Sequence, residues 1–246
     1  MITSVEHRPQ VVLIPPAGGS AVLGRAWTEG LADRAHVDLL RLPRLHDGSL
    51  MASARLLAAA TPRSGRWVLA GHSLGGLIAF EIVRALQLAG GHLPERLIVM
   101  GSQAPDMLSG RAFAALVDLR DDAMLDALVE MGAVDTALRE HPMRKLFVPG
   151  LRRDLRLLVS YTPDPVNDSV GVPLHAWHGE HDRLAPPARA AAWARHTSVQ
   201  FHTRTFAGGH FFPVEQLADV LRALPLTTPA ECPRCGVEAR IVPTIR

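Results

Sequence analysis

The chain has 246 residues, 48% of them hydrophobic, which is enough for one substantial core. Its 26 basic and 24 acidic side chains give a formal net charge of +2, a balance that argues against a nucleic-acid-binding protein. No apolar run approaches the roughly 18 residues that a membrane span needs, and the N-terminal segment lacks the pattern of a signal peptide. We therefore expect a cytoplasmic protein whose partners include neither nucleic acid nor membrane.

Short β-like runs alternate with helical patterns along the chain. The predicted strands are 11–14, 37–42, 67–70, 97–100, 174–177 and 201–206. Helices are predicted at 55–60, after Ser73, and at 214–224, where Pro213 suits a first helical turn. The helix after Ser73 has polar residues at every third position, namely Glu81, Arg84 and Gln87. This alternation predicts an α/β fold, with a mostly parallel sheet and helices on both faces.

The interval from about residue 106 to residue 165 breaks this alternation. It contains no convincing strand and several amphipathic helical patterns, so we expect a helical insertion there. Between Arg139 and Arg156, six basic residues stand against two acidic ones, a local excess of +4. That excess is either a solvated helical face or a docking surface for an acidic partner.

The segment 227–246 is rich in proline and follows no helical or strand period, so we expect a loosely attached tail behind a domain of residues 1–226. It holds both cysteines of the chain, Cys232 and Cys235, in a C-x-x-C pattern that resembles half of a zinc ribbon. No second pair supplies the two further ligands that a ribbon needs. Three interpretations stay open: an incidental tail, zinc shared with another chain or with nearby histidines, and redox chemistry.

The apolar stretch VLAGHSLGGLIAFEI holds two polar residues, His72 and Ser73, at its middle. Residues 71–75, GHSLG, match the G-x-S-x-G nucleophile elbow, a tight turn between a strand and a helix that exposes the serine hydroxyl. Glycine is required two residues on either side of the serine because larger side chains would collide in such a turn. The predicted strand before the motif and the predicted helix after it match this context. Ser73 is therefore the predicted nucleophile.

A serine hydroxyl needs a base to activate it, and the base needs a carboxylate to orient it. In this architecture the acid and then the histidine follow the serine along the chain. Asp182 follows a predicted strand, and His210 lies in a glycine-rich loop before the last predicted helix. We predict that Ser73, Asp182 and His210 form a catalytic triad.

Other residues compete for these positions. Asp106, just past another predicted strand, could also supply the acid, while His196 and His202 are weaker candidates for the base because they lie at a helix end and inside a strand pattern. The cluster of histidine and acidic residues at 178–182 could suggest a metal site. It lacks the i, i+4 histidine spacing and a third partner, so we predict neither a metal nor a cofactor.

An oxyanion hole needs two backbone amides, one from the residue after the nucleophile and one from the loop after an early strand. Leu74 is the first. The loop LIPPAGGSA supplies the second, and Ala17 is the predicted donor because Pro15 and Pro16 have no N–H. A phosphate-binding loop or a plain turn is the alternative for this segment, although no Lys-Ser/Thr pair follows it.

Six motifs occur in this order: PPAGGSA, GHSLGGLIAFEIVRAL, MGSQAP, FVPGLRRDLRLLVSY, WHGEHDRLAP and GGHFF. Together they resemble the type II thioesterases, stand-alone α/β-hydrolases that accompany polyketide synthases and nonribosomal peptide synthetases. The resemblance implies an α/β-hydrolase fold with a helical lid, and the triad Ser73, Asp182 and His210. It also implies hydrolysis of acyl thioesters from the phosphopantetheine arm of an acyl or peptidyl carrier protein, which clears aberrant acyl groups from a stalled assembly line.

The chain departs from that family at positions near the expected pocket. Pro16 stands where an aromatic residue or histidine is common, and Val159 stands where a glutamate often precedes the lid tyrosine, here Tyr161. A carboxylesterase or lipase that acts on free esters is the second hypothesis, because a triad does not distinguish oxygen from sulfur leaving groups. A catalytically silent protein that binds a carrier is the third.

Overall fold

The structure, a computed structural model, describes residues 8–19, 21–42, 49–108, 111–164 and 168–226. Within these ranges six strands form one parallel sheet in the order β2-β1-β3-β4-β5-β6. The strands are β1 (Gln10–Ile14), β2 (His36–Leu39), β3 (Trp67–His72), β4 (Leu97–Met100), β5 (Leu174–Gly179) and β6 (Phe201–Phe206). The predicted tail with Cys232 and Cys235 lies outside the described residues.

The helices of the sheet domain are α1 (Ala21–Gly30), α2 (Leu50–Ala58), α3 (Leu74–Leu88), α8 (Phe212–Glu215) and α9 (Leu217–Ala223). Between β4 and β5 lie α4 (Arg111–Val117), α5 (Asp121–Glu130), α6 (Thr136–Glu140) and α7 (Arg144–Ser160), which we call the lid helices. Short 3₁₀ segments occupy Pro105–Met107 and Pro187–His196. No helix in the described part of the chain is long and apolar enough to cross a membrane.

The predicted α/β fold with a mostly parallel sheet is confirmed, and the differences from prediction are at element ends. β2 stops at Leu39 rather than at residue 42, because its partner β1 is followed by Pro15 and Pro16, which have no N–H to extend the ladder. The helix predicted at 214–224 is two helices, since the backbone of Gln216 (φ −112°, ψ 37°) is not helical. Ser49 starts α2 earlier than predicted by accepting a hydrogen bond from the N–H of Ala52.

Both faces of the sheet are buried, as expected for a parallel sheet between helical layers. Alternate residues of the central strands point to opposite sides. One face packs against α1, α8 and α9, where Trp27 and Phe212 are fully buried. The strand residues on this face include Val11, Leu13, Val68 and Ala70. Val12, Ile14 and Leu69 pack with α2, α3 and the lid helices on the other face. The lid helices therefore share one continuous core with the sheet.

A buried ionic cluster links the C-terminal end of α7 to α3. Glu81 and Arg84, expected on the polar face of α3, are 0% and 3% exposed and pair with each other at 2.8 Å. The hydroxyl of Tyr161, the residue after α7, donates a hydrogen bond to Glu81 Oε1 at 2.6 Å, and Arg84 also pairs with Asp164 at 3.1 Å. Burial, together with the charge of Glu81, raises the pKa of Tyr161, so this hydroxyl remains a donor.

We expect Tyr161→Phe to destabilise the protein by about 1.5–3 kcal/mol, because a buried hydrogen bond to a charged acceptor is lost. Urea-induced unfolding of the wild type and the variant measures the difference. The matched control is Ser160→Ala, whose hydroxyl bonds only to the Leu157 carbonyl of its own helix. Equal losses in the two variants would show that the link between Tyr161 and Glu81 contributes nothing of its own.

Candidate active site

Ser73 lies at the junction of β3 and α3, where the sequence predicts the nucleophile elbow. Its backbone (φ 56°, ψ −121°) is the one positive-φ conformation of a non-glycine residue in the described ranges. A strained conformation of this kind costs about 1–3 kcal/mol. Two backbone hydrogen bonds hold it, from the Ser73 N–H to Met100 O at 2.8 Å and from the Gly76 N–H to Ser73 O at 2.9 Å.

The two glycines of the motif are required by close backbone contacts. A Cβ on Gly71 would lie 2.1 Å from the carbonyl oxygen of Gly75, on the opposite side of the turn. A Cβ on Gly75 would lie 2.3 Å from the carbonyl oxygen of Ile14, at the end of β1. The elbow is therefore pressed against the loop that follows β1.

Asp182 and His210 form a buried hydrogen-bonded pair, with 2.9 Å between His210 Nδ1 and Asp182 Oδ2. The other carboxylate oxygen accepts the amides of Leu184 at 2.9 Å and Ala185 at 3.0 Å. Burial would raise the pKa of Asp182, but the hydrogen bond and charge of His210, with these two amides, hold it below its usual value. Asp182 is therefore an ionised partner that fixes the His210 ring and leaves Nε2 for other contacts.

The structure brings Ser73, Asp182 and His210 to one edge of the sheet, where β3, β5 and β6 end. Ser73 and His210 line the same small cavity of about 40 Å³. Gly101, the residue after β4, lies behind the pair, since a Cβ there would be 3.2 Å from Asp182 Oδ2 and 3.3 Å from His210 Cε1. No described residue forms a hydrogen bond with the Ser73 hydroxyl.

His72 has a role that the sequence did not indicate. Its ring is 1% exposed and lies 5.0 Å from the His210 ring, and its Nε2–H donates to the His210 carbonyl oxygen at 2.8 Å. A carbonyl can only accept, so Nε2 carries the proton. Burial and the neighbouring His210 lower the pKa of His72 to about 3, so the ring is neutral. His72 thus anchors the backbone of the loop that carries His210.

The competing candidates for the acid and the base make their contacts outside the triad. Asp106 pairs with Arg195 and with His196 Nε2, the latter at 3.0 Å. His196 Nδ1 forms a second hydrogen bond, to the Asp168 carbonyl at 2.6 Å. His202 stacks on the ring of His175 at 4.7 Å. Across the part of the chain that the structure describes, no three histidine, cysteine or acidic side chains are grouped to hold a metal ion.

The loop after β1 forms a turn beside Ser73. The Gly19 N–H donates to the Pro16 carbonyl at 2.9 Å, and Gly18 has a φ of 79°. Ala17 and Leu74, the predicted oxyanion-hole residues, line the same cavity as Ser73. Among the described residues, none accepts a hydrogen bond from either of these two amides.

An apolar cavity of about 340 Å³ extends from Ser73 to the lid helices. Its lid-side lining is mostly aliphatic and aromatic, with Phe113, Leu128, Val134, Leu138, Phe147, Leu151, Leu155 and Leu158. Three of the large hydrophobic lining residues are exposed, Val22 at 68%, Phe147 at 43% and Val214 at 38%. These three residues mark an apolar rim where the cavity opens to the surface.

The basic excess predicted between Arg139 and Arg156 is smaller in the folded chain. Four of its six cations form ion pairs within the lid: Arg139 with Asp126, Arg144 with Asp122, Arg152 with Asp121, and Arg153 with Asp154. Three of these acids belong to α5, outside the segment in which the charges were counted. Lys145 and Arg156 are exposed and have no ion-pair partner among the described residues.

We expect His72→Gln to flatten the pH dependence of stability, because an amide can donate the same hydrogen bond without titrating. With a pKa of about 3 in the folded chain against 6.5 ordinarily, the unfolded chain binds the extra proton between these values. The contribution of His72 to the free energy of unfolding is therefore fully present above pH 6.5. It decreases as the pH falls toward 3, by up to about 1.4 kcal/mol per pH unit. Urea unfolding at a series of acidic pH values measures the slope. An unchanged slope in the variant would contradict a neutral buried His72.

Comparison with known proteins identifies the family. Residues 9–226 match the family model described as Thioesterase domain. Thioesterase PikA5 from Streptomyces venezuelae is 31% identical over 222 residues, a match that covers 86% of this chain and 78% of PikA5. Some other relatives are much longer, and the chain spans 11% of AMB antimetabolite synthetase AmbE from Pseudomonas aeruginosa and 16% of phenyloxazoline synthase MbtB from Mycobacterium tuberculosis.

Solved structures agree with this assignment. RedJ, a thioesterase from the prodiginine biosynthetic pathway in Streptomyces coelicolor, is 28% identical with a TM-score of 0.78, over 88% of this chain and 84% of RedJ. BorB, the type II thioesterase from the borrelidin biosynthetic cluster, is 29% identical with a TM-score of 0.74, over 87% of this chain and 90% of BorB. The chain therefore belongs to the thioesterase family, as a type II thioesterase with the α/β-hydrolase fold.

Proposed function

We propose that this thioesterase hydrolyses acyl thioesters carried on the phosphopantetheine arm of an acyl or peptidyl carrier protein. It acts in the cytoplasm on a polyketide or nonribosomal peptide pathway and clears acyl groups that stall assembly. The observation that carries the proposal is the buried 2.9 Å bond between His210 and Asp182, next to a strained serine that opens onto an apolar cavity. Similarity to RedJ, from the prodiginine biosynthetic pathway, and to BorB, from the borrelidin biosynthetic cluster, supports a role in a biosynthetic pathway.

The first half of the reaction forms an acyl-enzyme. His210 Nε2 removes the proton from the Ser73 hydroxyl as the oxygen attacks the thioester carbonyl, and the contact between these two groups forms when substrate is bound. The amides of Leu74 and Ala17 donate hydrogen bonds to the oxyanion of the tetrahedral intermediate. The C–S bond then breaks, and His210 returns the proton to the departing thiolate.

The second half releases the acid. A water molecule loses a proton to His210 Nε2 and attacks the acyl-serine carbonyl, again with the oxyanion at the same two amides. The bond between the acyl carbon and the Ser73 oxygen breaks, and the proton returns from His210 to the serine. Asp182 keeps the ring in one tautomer and stabilises the imidazolium in both halves, which its lowered pKa supports.

The apolar cavity is the proposed site for the acyl chain. Its wall of lid residues offers dispersion contacts and removal from water but few polar partners, as an acyl group requires. The phosphopantetheine arm would enter at the rim of Val22, Phe147 and Val214, so a carrier would dock beside that rim. Lys145, exposed and two residues before Phe147 in α7, is then, among the described residues, the unpaired lid cation nearest in sequence to that rim, where it could meet an acidic carrier.

We expect Ser73→Ala to lower kcat on an acyl-loaded carrier protein by about 10³-fold or more, because the nucleophile is lost. Release of free acid, followed by mass spectrometry, measures the rate. The matched control, Ser198→Ala, removes a hydroxyl that bonds only to the Val170 carbonyl and should retain activity. Ser73→Ala with most of its activity would refute the mechanism. Faster turnover of a p-nitrophenyl ester than of the carrier thioester would favour the esterase hypothesis.

We expect Lys145→Glu to raise KM for the acyl-carrier several-fold at low salt, because a rim charge steers an acidic partner toward the site. The effect should shrink at high salt, and turnover of a p-nitrophenyl ester should not change. The control is Arg63→Glu, which reverses an exposed charge before β3, at the opposite end of the sheet. Equal changes in KM for the two variants would argue against docking at this rim. Arg152 and Arg153 are poor test positions because their reversal would break ion pairs within the lid.

A further inference from the structure

One carboxylate links a lid helix directly to the loop after β1. Asp154, in the middle of α7, is 3% exposed and lines the apolar cavity. Its Oδ2 accepts a hydrogen bond from the Gly18 N–H at 2.9 Å, across 136 residues of sequence. A carboxylate is costly to bury unless its oxygens are satisfied, so its presence among leucines points to a specific partner.

The second carboxylate oxygen of Asp154 is bound by a neighbouring residue of α7. Arg153 donates to Asp154 Oδ1 from Nε at 3.0 Å and from Nη2 at 2.8 Å. The guanidinium is partly exposed, so it neutralises the carboxylate from the solvent side while the other oxygen remains directed at the loop. The bond that Asp154 makes outside α7 therefore goes to the amide of Gly18.

The Gly18 amide belongs to the peptide that sets the type of the turn at residues 16–19. The bond from Gly19 N–H to the Pro16 carbonyl and the φ of 79° at Gly18 are the features of a type II turn. Type I and type II turns differ by rotation of the peptide between the second and third residues, here Ala17 and Gly18. The Gly18 N–H belongs to this peptide, so its bond to Asp154 opposes the rotation and keeps the turn in its type II form. In that form the Pro16 carbonyl accepts from Gly19, and because the Pro16 carbonyl and the Ala17 N–H share one peptide plane, the turn also fixes the direction of the Ala17 N–H.

The nucleophile elbow also contacts this loop, at its first residues. A Cβ on Gly75 would lie 2.3 Å from Ile14 O and 2.4 Å from Pro15 O. Ala17 thus lies between two supports: the elbow at the end of β3, which contacts the start of the loop, and Asp154 on the lid, which binds the next residue, Gly18. We propose that Asp154 is a positioning residue for the oxyanion hole, which sets the direction of the Ala17 N–H and makes its alignment depend on α7. The proposal rests on the proposed function, in which Ala17 donates to the oxyanion.

The test compares Asp154→Ala and Asp154→Leu, which remove the acceptor, with Asp154→Asn, which keeps a carbonyl oxygen within reach of Gly18. Removing an oxyanion-hole donor costs about 10²- to 10³-fold in kcat, so its misalignment in the Ala and Leu variants should cost about 10- to 100-fold. KM should change little, because ground-state contacts of the acyl chain remain, and Asn should restore most of kcat. The control is Asp126→Asn, an exposed lid carboxylate paired with Arg139, which should retain kcat.

A second readout separates positioning from general loosening of the lid. An alkylboronic acid forms a tetrahedral adduct on an active serine, so its inhibition constant should rise in proportion to the fall in kcat, while inhibition by the free fatty acid stays constant.

If Asp154→Ala does not fold, Asp154→Leu carries the comparison, because leucine matches the volume and apolarity of the site. A folded Ala or Leu variant with wild-type kcat, or with fatty-acid and boronic-acid inhibition weakened equally, overturns the proposal. If Ser73→Ala is also fully active, the proposed function itself fails. If Ser73→Ala is inactive, only the role of Asp154 fails.

Discussion

The backbone of Ser73 is held in a conformation that L-residues rarely adopt, and the central position of β3 makes this possible. Neighbouring strands on both sides supply the supports: Met100 at the end of β4 accepts the Ser73 amide, and the carbonyl of Ile14 at the end of β1 leaves room only for glycine at position 75. The cost of about 1–3 kcal/mol is offset by the buried sheet around it. A hydroxyl is thereby presented at the edge where the loops after β5 and β6 bring Asp182 and His210.

Each group near that hydroxyl is held by at least one bond to a distant part of the chain. His72 binds the carbonyl of His210, and Asp154 binds the amide of Gly18. The carboxylate of Asp182 binds the ring of His210, and two neighbouring amides complete its hydrogen bonds. The lid helices take part because they share the core with α3 and are fastened to it through Tyr161 and Glu81. In the mechanism proposed for this thioesterase, the lid both walls the acyl cavity and supports one side of the oxyanion hole.

Local pattern was enough to predict the strands and the elbow, because apolar β runs and the G-x-S-x-G spacing are properties of adjacent residues. It was not enough for bonds between distant segments. Glu81 and Arg84 have the spacing of a polar helix face, yet they are buried because Tyr161 and Asp164 return to α3. The basic excess of the lid was overestimated for the same reason, since its partners Asp121, Asp122 and Asp126 lie on a different helix.

The central claim is that His210, oriented by Asp182, activates the hydroxyl of Ser73. The most direct test is the rate of reaction with a fluorophosphonate, with the modified residue identified by peptide mass spectrometry in the wild type and in His210→Ala. The mechanism predicts a single adduct on Ser73 that forms about 10²- to 10⁴-fold more slowly without the imidazole, as expected for loss of a general base. An adduct on another residue, or equal rates in the two proteins, would contradict it.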